Sequence, residues 1–305
     1  MAKTALIFPG QGSQYVGMGK DLYEGSPTAK RLFEKADSTL GFSLSRLCFE
    51  GPEEELKQTK NTQPAIFLHS IVLFRLLERV PFDMAAGHSL GEYSALVAAG
   101  ALTFEDGLRL VRLRGELMQQ AGIEHPGTMA AIVGLDAKTV NDICAEISTD
   151  ENVQAANYNS PGQIVISGSL LGVRKAMESA NIRGAKIVKE LQVSGAFHSP
   201  LMESAQAGLK KGLDGIEIKD AAVPVYANVT ARPMHTADEI RRHLFQQLLS
   251  PVRWEESVVH MIADGATTFI ELGPGKVLQG LVKRINGSVK TIGIEKMADL
   301  TNVLS

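Results

Sequence analysis

The sequence predicts an α/β protein with a mostly parallel sheet, on three observations. Short apolar runs alternate with longer segments of helical periodicity along the whole chain. Glycine-rich turns follow two of the apolar runs. With 305 residues, of which 44% are hydrophobic and 21% are charged, the chain can bury a large core. We therefore expect one large domain, or one domain with an insertion.

The apolar runs and the periodic segments predict the individual elements. Two helices are predicted most clearly: Thr62–Glu78, with Leu, Ile and Phe at helical spacing, and Thr103–Ala121, which opens with a capping pattern. The predicted strands are Thr4–Phe8, Met84–Ala86, Thr128–Val133, Ile164–Ser167, Ala185–Glu190, Val225–Ala227 and Thr268–Leu272.

A second pattern begins near Gly122 and continues to about Ser194. Its order is strand, helix, strand, strand, helix and strand, which is the β-α-β-β-α-β succession of a ferredoxin-like unit. We expect residues 123–194 to form this smaller unit. It would be inserted in a larger subdomain made of residues 1–122 and 195–305.

Composition and charge exclude several classes of function. The formal net charge of -3 shows no basic excess, so we expect no nucleic-acid partner. No apolar stretch is long enough to span a bilayer, and the first apolar run ends at Pro9 without the pattern of a signal peptide. We therefore expect a cytoplasmic protein with no membrane partner. Cys48 and Cys144 lack CxxC and zinc-like spacing, so we expect reduced core thiols and no metal site.

The most informative motif is GHSLG, residues 87–91, which lies between a predicted strand and a run of small and apolar residues. It fits G-x-S-x-G, the pattern of a nucleophile elbow. In an elbow the glycines let strand and helix approach, and the serine projects from the sheet edge near a helix N-terminus that favours negative charge. A tight turn that happens to contain Ser89 fits the same five residues, and this stretch alone leaves both interpretations open.

A serine nucleophile needs a base, and the histidines differ in context. His198 lies after a predicted strand, in a loop bounded by Gly195 and Pro200, where scaffolds often present functional side chains. His88 adjoins Ser89 but should point away from it across the turn. For His198, a base and a structural histidine are both open interpretations. The remaining histidines are expected to be solvated or in the core: His69, His125, His235, His243 and His260.

Arg114 is the third candidate, because helical geometry places it on a buried face. Its neighbours three and four residues away are all apolar: Leu110, Val111, Leu117 and Met118. An unpaired guanidinium in such a setting is costly, so Arg114 needs an anion, either an internal carboxylate or a ligand carboxylate. Arg112, with Glu116 four residues on, is expected to form an exposed charge pair.

Two glycine-rich stretches match nucleotide-binding motifs only in part. In residues 8–15, Tyr15 occupies the third glycine position of G-x-G-x-x-G, so the dinucleotide fingerprint fails. Residues 271–276 lack the Walker spacing. We interpret both as strand-to-helix turns. The backbone amides of Gln11 and Gly12 could donate to an oxyanion beside Ser89.

Six motifs occur along the chain in this order: FPGQGSQ, GHSLGEYSALVAAGAL, RLRGELM, NYNSPGQ, GAFHSPLM and ELGPG. With them the chain closely resembles the malonyl-CoA:acyl carrier protein transacylases over essentially its whole length. Each motif is weak alone, but their order and spacing together are highly specific. The resemblance implies an α/β-hydrolase-like large subdomain with a ferredoxin-like insertion.

The resemblance also implies a catalytic pair. Ser89 would carry the malonyl group, and His198 would be the base that activates it. The backbone carbonyl of Gln247 would hold the imidazole, or that of Gln246 if the register slips by one residue. This is a Ser-His dyad without a carboxylate, in agreement with the absence of an obvious acidic partner near His198 in the sequence.

The other implied roles concern binding. Backbone amides of Gln11 and Leu90 would form the oxyanion hole. Arg114 would clamp the free carboxylate of the malonyl group, which names the anion that its burial requires. Met118 belongs to the same substrate-binding set. Phe197 matches a bulky residue whose ring would fill the space that the α-methyl group of a branched unit requires.

The implied reaction is ping-pong acyl transfer from malonyl-CoA to the phosphopantetheine thiol of acyl carrier protein, in fatty acid synthesis and without a cofactor. We expect these two partners and a monomeric enzyme. A serine thioesterase or carboxylesterase is an alternative, although it leaves a buried Arg114 unexplained. A non-catalytic acyl-binding subunit is another, and a polyketide pathway would use the same malonyl loading.

Acyl carrier protein is generally acidic, so a basic surface should receive it. Simple solvation would explain the same charges. Two clusters are candidates, one in the insertion (Arg183, Lys186 and Lys189) and one near the end of the chain (Lys276, Lys283 and Arg284).

Overall fold

Two sheets organise the computed structural model, which describes residues 2–77 and 80–304, with side chains up to residue 300. The strands are β1 (Lys3–Phe8), β2 (Met84–Gly87), β3 (Gly127–Val133), β4 (Val153–Ser160), β5 (Gln163–Ser169), β6 (Ile187–Glu190), β7 (Val225–Tyr226), β8 (Pro233–Met234), β9 (Ala266–Leu272) and β10 (Lys290–Ile294). The helices are α1 (Lys20–Gly25), α2 (Pro27–Leu40), α3 (Leu44–Glu50), α4 (Glu53–Leu56), α5 (Thr59–Leu76), α6 (Gly91–Ala98), α7 (Phe104–Glu124), α8 (Ala137–Ile147), α9 (Leu170–Ile182), α10 (Gln206–Asp214), α11 (Ala237–Gln247), α12 (Trp254–Ala263), α13 (Val277–Ile285) and α14 (Met297–Leu304). A short 3-10 helix spans Pro200–Ala205.

The larger sheet has the order β10-β9-β1-β2-β7-β8, and every pair is parallel except β7 with β8. Strand β1 is covered on both faces, as is usual for a parallel sheet. Ala5 and Ile7 pack into one core, whereas Leu6 and Phe8 pack into the other. This two-sided burial explains the continuous apolar run in β1. The pairing of β1 with β2 brings Phe8 beside Gly87, where the serine motif begins.

The smaller sheet has the order β4-β5-β3-β6, and all its pairs are antiparallel. Helices α8 and α9 pack on it through a separate core that includes Ile132, Val140 and Val173. The succession β3-α8-β4-β5-α9-β6 in this strand order is the ferredoxin-like arrangement. The predicted fold class is therefore confirmed. The subdomain boundaries, 1–122 and 195–305 against 123–194, stay a prediction.

Strand β4 joins the smaller sheet to the larger part of the chain. The N–H of Tyr158 donates to the carbonyl of Val252 at 2.9 Å, and the N–H of Val252 donates to the carbonyl of Ala156 at 2.8 Å. On the same strand, the amide of Gln154 donates to the backbone carbonyl of His198 at 2.8 Å. The smaller sheet thus anchors the loop that contains His198.

Most predicted elements agree with the structure to within a few residues, and the differences have local causes. Strand β6 begins at Ile187 because the N–H of Ala185 bonds back to the end of α9. Strand β7 ends at Tyr226 because the N–H of Ala227 donates to the carbonyl of Arg232 in a turn.

Helix α5 begins three residues before its predicted start, and the last predicted residue, Glu78, lies outside the described residues. Pro64 lies inside this helix and has no N–H for the carbonyl of Lys60. The guanidinium of Arg112 donates to that carbonyl at 3.0 Å instead. The prediction of an exposed pair was therefore wrong in part: Arg112 bonds Glu116 at 2.6 Å, but it is also a half-buried support of α5.

Both cysteines are buried free thiols, as predicted. Burial raises the pKa of Cys144 to about 12 and also raises that of Cys48. In the described part of the chain, no helix combines the length and the apolar character that crossing a bilayer requires.

Candidate active site

The GHSLG motif forms a sharp turn between β2 and α6. Ser89 has a φ of +50°, a conformation that residues other than glycine rarely adopt. The glycines permit the turn: a Cβ on Gly87 would lie 1.8 Å from the backbone carbon of Gly91, and a Cβ on Gly91 would lie 2.1 Å from the carbonyl oxygen of Phe8. This strand-turn-helix geometry is that of a nucleophile elbow.

Replacing Gly91 with alanine is expected to lower the free energy of unfolding by about 3 kcal/mol, because the new Cβ would overlap the carbonyl of Phe8. Urea unfolding followed by circular dichroism measures the change. Gly280 is a matched control, since it lies in α13 and its Cβ would meet no atom within 4 Å. Gly280→Ala should be neutral or slightly stabilising. Equal stability of the two variants would contradict the steric argument.

His198 faces the serine from the loop after β6. Its Nε2 atom lies 2.8 Å from Ser89 Oγ. Its Nδ1 atom lies 3.0 Å from the carbonyl oxygen of Gln247 and 3.1 Å from that of Ser250. Carbonyl oxygens only accept, so we assign the proton to Nδ1 and the lone pair to Nε2, which faces Ser89. The contact uses Gln247 rather than Gln246, and the sequence did not indicate Ser250.

The protonation state of His198 follows from its surroundings. The residue is 4% exposed. Burial, followed by the positive charge of Arg114, lowers the pKa of His198 to about 3, against the opposing effect of the two carbonyl contacts. The imidazole is therefore neutral near neutral pH, as is required of a base that accepts a serine proton.

Arg114 reaches the same serine from α7. It is 1% exposed, which confirms its predicted burial. Its Nη2 atom donates to Ser89 Oγ and to Gln247 Oε1, both at 3.0 Å, and its Nη1 atom donates to Gln63 Oε1 at 2.8 Å. Across residues 2–77 and 80–304 no carboxylate forms an ion pair with Arg114, so the internal salt bridge that the sequence left open is absent there.

A cavity of about 500 Å³ opens in front of these groups, between the two sheets. It is bounded by α13 on one side and by residues 191–193, after β6, on another. Gln247 lies behind the cavity and is fully buried. The other predicted site residues all line it: Gln11, Ser89, Leu90, Arg114, Met118, Phe197 and His198.

Two backbone N–H groups border the cavity beside Ser89. Those of Gln11 and Leu90 donate to no acceptor within the described residues. The side chain of Gln11 is held by Thr59, whose Oγ1 accepts its amide N–H at 3.3 Å. Free N–H donors next to a nucleophile are the feature that an oxyanion hole requires.

Two buried polar residues that the sequence analysis missed support the elbow. Asn228 accepts the N–H of Ser89 at 2.6 Å and donates its amide to the carbonyl of Gly87 at 2.7 Å. Its own N–H donates to Glu92 at 2.7 Å. Burial raises the pKa of Glu92 to about 7, against the lowering effect of that N–H. Asn228 follows the carboxyl end of a parallel strand, a position where ligands and catalytic groups gather, and this signal could have found it.

Of the described histidines, only His198 forms a hydrogen bond with the Ser89 hydroxyl. His88 points away, as predicted, and its Nε2 atom lies 2.9 Å from Asn159 Oδ1. His69 and His243 are buried in helices, while His125 is exposed. Besides His88 and His198, no histidine of the described residues lines the cavity.

Comparisons with known proteins identify the family. Residues 5–299 match a family model described as acyl transferase domain. A malonyl CoA-acyl carrier protein transacylase of Bacillus subtilis is 53% identical over 297 residues, which cover 96% of this chain and 94% of the relative. The chain belongs to the malonyl-CoA:acyl carrier protein transacylase family. A transacylase of the same name from Staphylococcus aureus (strain MRSA252) is 44% identical and covers 98% of both chains.

Solved structures of transacylases have the same fold. A complex described as a type II PKS acyl-carrier protein with its malonyl-transacylase superimposes with a TM-score of 0.96 at 40% identity and covers 99% of both chains. An acyl carrier protein S-malonyltransferase from Vibrio cholerae gives a TM-score of 0.95 at 42% identity, covering 99% of this chain and 100% of the other. As a transacylase-family member the chain is an acyltransferase, and the matched range includes every candidate site residue.

Proposed function

We propose that this protein transfers the malonyl group of malonyl-CoA to the phosphopantetheine thiol of acyl carrier protein, and so supplies extender units for fatty acid synthesis. One arrangement supports this most directly: Ser89 Oγ lies 2.8 Å from His198 Nε2 and 3.0 Å from Arg114 Nη2. A serine with a base can accept an acyl group, and an adjacent guanidinium favours an acyl group that ends in a carboxylate.

In the first half-reaction Ser89 Oγ attacks the thioester carbonyl carbon while His198 Nε2 takes the hydroxyl proton. The backbone N–H groups of Gln11 and Leu90 stabilise the negative charge that develops on the carbonyl oxygen. The carbon–sulfur bond then breaks, and the imidazolium returns its proton to the departing thiolate of CoA. Malonyl-Ser89 remains.

In the second half-reaction the carrier thiol gives its proton to His198 and its sulfur attacks the ester. Ser89 then leaves and regains the proton, which restores the enzyme. A thioester is converted to an oxygen ester and back to a thioester, so the exchange is nearly balanced, reversible and independent of a cofactor. All the groups involved come from one chain, which supports a monomer as the functional unit.

The acyl group is selected at three points of the cavity. Arg114 would bind the malonyl carboxylate by exchanging its contact with Ser89 for a charge-assisted one. Phe197, which is 5% exposed and lines the cavity, would fill the space that an α-methyl branch needs. Met118 adds an apolar wall beside Arg114.

Two functions of other classes fit this arrangement less well. A hydrolase with the same elbow would use water as the acceptor. Transfer to water does not require a buried cation such as Arg114 beside the serine. A non-catalytic binding subunit has no need for a neutral imidazole within 2.8 Å of a serine hydroxyl. The hydrolase would release the acyl group of Ser89 to water, and the binding subunit would form no acyl group on Ser89.

Intact-protein mass spectrometry tests the proposal. The protein is mixed briefly with malonyl-CoA, and phosphopantetheinylated acyl carrier protein is then added. We expect a malonyl adduct that is absent in Ser89→Ala and that moves to the carrier. An adduct lost to water at the same rate with and without carrier would identify a hydrolase, and no adduct at all would favour the binding subunit.

Each of the two basic clusters predicted to receive the carrier includes a lysine close in sequence to residues that line the cavity. In the insertion, Arg183 pairs with Glu146, while Lys186 and Lys189 are exposed just before the cavity-lining residues 191–193. Near the end of the chain, Lys276 and Lys283 are exposed, and Arg284 bonds the amide of Gln163. We propose that the second cluster contacts the acidic carrier, because α13 itself forms a wall of the cavity.

The double variant Lys276→Glu/Arg284→Glu is expected to raise the KM for acyl carrier protein about 5- to 10-fold at low salt, with less effect at high salt. The rate at which malonyl-CoA acylates Ser89 should change less than the KM for acyl carrier protein. Lys211→Glu is the control, since Lys211 is exposed on α10 and does not line the cavity. An unchanged KM for the carrier at low salt would reject this cluster.

A further inference from the structure

The contacts of Arg114 are chemically unusual for a buried cation. All three acceptors of its guanidinium are neutral oxygens, those of Gln63, Gln247 and Ser89. Buried guanidinium groups are commonly paired with carboxylates, because an uncompensated charge in the interior is costly. This site satisfies both terminal nitrogens of the cation with neutral acceptors, while its Nε atom has no partner among the described residues.

Contacts at both ends of the Gln63 amide fix its orientation, with the oxygen toward Arg114. Its Oε1 atom accepts from Arg114 Nη1 at 2.8 Å, and its Nε2 atom points at the thioether of Met118, with a nitrogen–sulfur distance of 3.2 Å. Gln247 is arranged in the same way, with Oε1 on Arg114 and Nε2 donating to the carbonyl of Ser89 at 3.0 Å. Each amide therefore needs both of its ends, and a carboxylate could replace neither nitrogen.

The ionisable groups near Arg114 offset its charge only in part. Glu92 uses one carboxylate oxygen for the N–H of Asn228, and its other oxygen has no partner among the described residues. Burial raises the pKa of Glu92 to about 7, against the lowering effects of the Asn228 N–H, the Gln247 side chain and the charge of Arg114, so a partly ionised Glu92 offsets only part of that charge. Tyr93 presents its ring to the guanidinium, 5.7 Å from the ring centroid, and its hydroxyl is neutral.

We propose that Gln63 is a specificity-determining residue, which positions Arg114 with a neutral acceptor so that the cationic charge is not paired at this contact and remains available to the carboxylate of the acyl group. This inference rests on the proposed malonyl transfer. It adds a role for Gln63, a residue of α5 that lies outside the GHSLG motif. A negatively charged acceptor at this position would still bind the guanidinium, although without the contact to Met118, and it would compete with the substrate for the cation.

Gln63→Glu tests neutrality with almost no change in side-chain shape. Single-turnover acylation of Ser89 is followed by mass spectrometry at subsaturating malonyl-CoA or acetyl-CoA. In Gln63→Glu we expect the malonyl rate to fall about 100-fold and the acetyl rate to fall much less, because only malonyl needs the charge of Arg114. The ratio of malonyl to acetyl rates is the decisive quantity, and the acetyl rate reports that the variant folds.

Two further variants separate charge from hydrogen bonding. Gln63→Met removes the acceptor without adding charge, so its malonyl-to-acetyl ratio should fall less than that of Gln63→Glu. Gln120→Glu makes the same change in net charge on the exposed face of α7 and should keep the wild-type ratio. A wild-type ratio in Gln63→Glu, or a loss in Gln63→Met as large as in Gln63→Glu, would overturn the proposal.

Thermal unfolding with free malonate gives a readout that requires no acyl transfer. Malonate should raise the unfolding temperature of the wild-type protein and have less effect on Gln63→Glu. If the wild-type protein formed no malonyl ester but malonate still raised its unfolding temperature more than that of Gln63→Glu, the proposed function would fail and the inference would stand. If the wild-type protein transferred malonyl but malonate raised the unfolding temperatures of the wild type and of Gln63→Glu equally, the function would stand and the inference would be overturned.

Discussion

Replacing His198 with alanine is expected to slow the formation of malonyl-Ser89 by about 10³- to 10⁴-fold. The variant keeps the serine, its elbow and the oxyanion donors, but Ser89 loses the acceptor that lies 2.8 Å from its hydroxyl. Rapid-quench acylation with malonyl-CoA measures the rate. His125→Ala is the control, because His125 is exposed and lies outside the cavity. A rate within tenfold of the wild type would remove His198 from the role of base.

The pH profile of the unchanged protein gives a second readout of the same assignment. Burial and the charge of Arg114 lower the pKa of His198 from 6.5 to about 3. A base is active when it is unprotonated, so a lower pKa extends activity toward acid. We expect kcat/KM for malonyl-CoA to be nearly flat from about pH 5 to about pH 8. An acid limb centred near pH 6.5 would contradict the lowered pKa.

Replacing Arg114 with alanine is expected to reduce malonyl acylation by about 10²- to 10³-fold and to raise the relative rate with acetyl-CoA. The guanidinium is the cation nearest to Ser89, and acetyl has no charge that would need it. Competition between the two thioesters, followed by mass spectrometry of the acyl-enzyme, measures the ratio directly.

Arg112→Ala is the matched control for this experiment, since it removes the same charge two positions away on α7. Arg112 bonds the carbonyl of Lys60 and the side chain of Asn61, and it does not line the cavity. Its loss should lower stability and leave the malonyl-to-acetyl ratio unchanged. Full malonyl transfer by Arg114→Ala would show that Arg114 neither binds the carboxylate nor orients the acyl group.

Several parts of the fold could be predicted because they depend on local sequence. Strand β1 is apolar at successive positions because both its faces are covered, and α7 has a Thr103 cap whose hydroxyl accepts the N–H of Asp106. The ferredoxin-like unit was predictable from the succession of its elements. The start of α5 at Thr59, which places Pro64 inside the helix, was harder to predict, because Arg112 supports the freed carbonyl of Lys60 from another helix.

The site was predictable to a different extent at each residue. Ser89 could be found because the two glycines of an elbow are sequence neighbours. The burial of Arg114 followed from helical periodicity, but its partners did not. Gln63 and Asn228 belong to no recognised motif. The sequence also did not indicate that the carbonyl of Ser250 contacts His198 Nδ1. These residues contribute ordinary amide and carbonyl groups, whose function depends only on what faces them.

The α/β class, a sharp turn at Ser89 and the burial of Arg114 were all predictable from the chain alone, because each is visible in local patterns of residues. The neutral oxygens that hold Arg114 became visible only in the folded chain. The acceptors of Arg114 lie 51 positions away at Gln63 and 133 positions away at Gln247. Hydrogen-bond partners across a core depend on how helices pack, whereas helical periodicity specifies which face is buried but not which groups that face contacts.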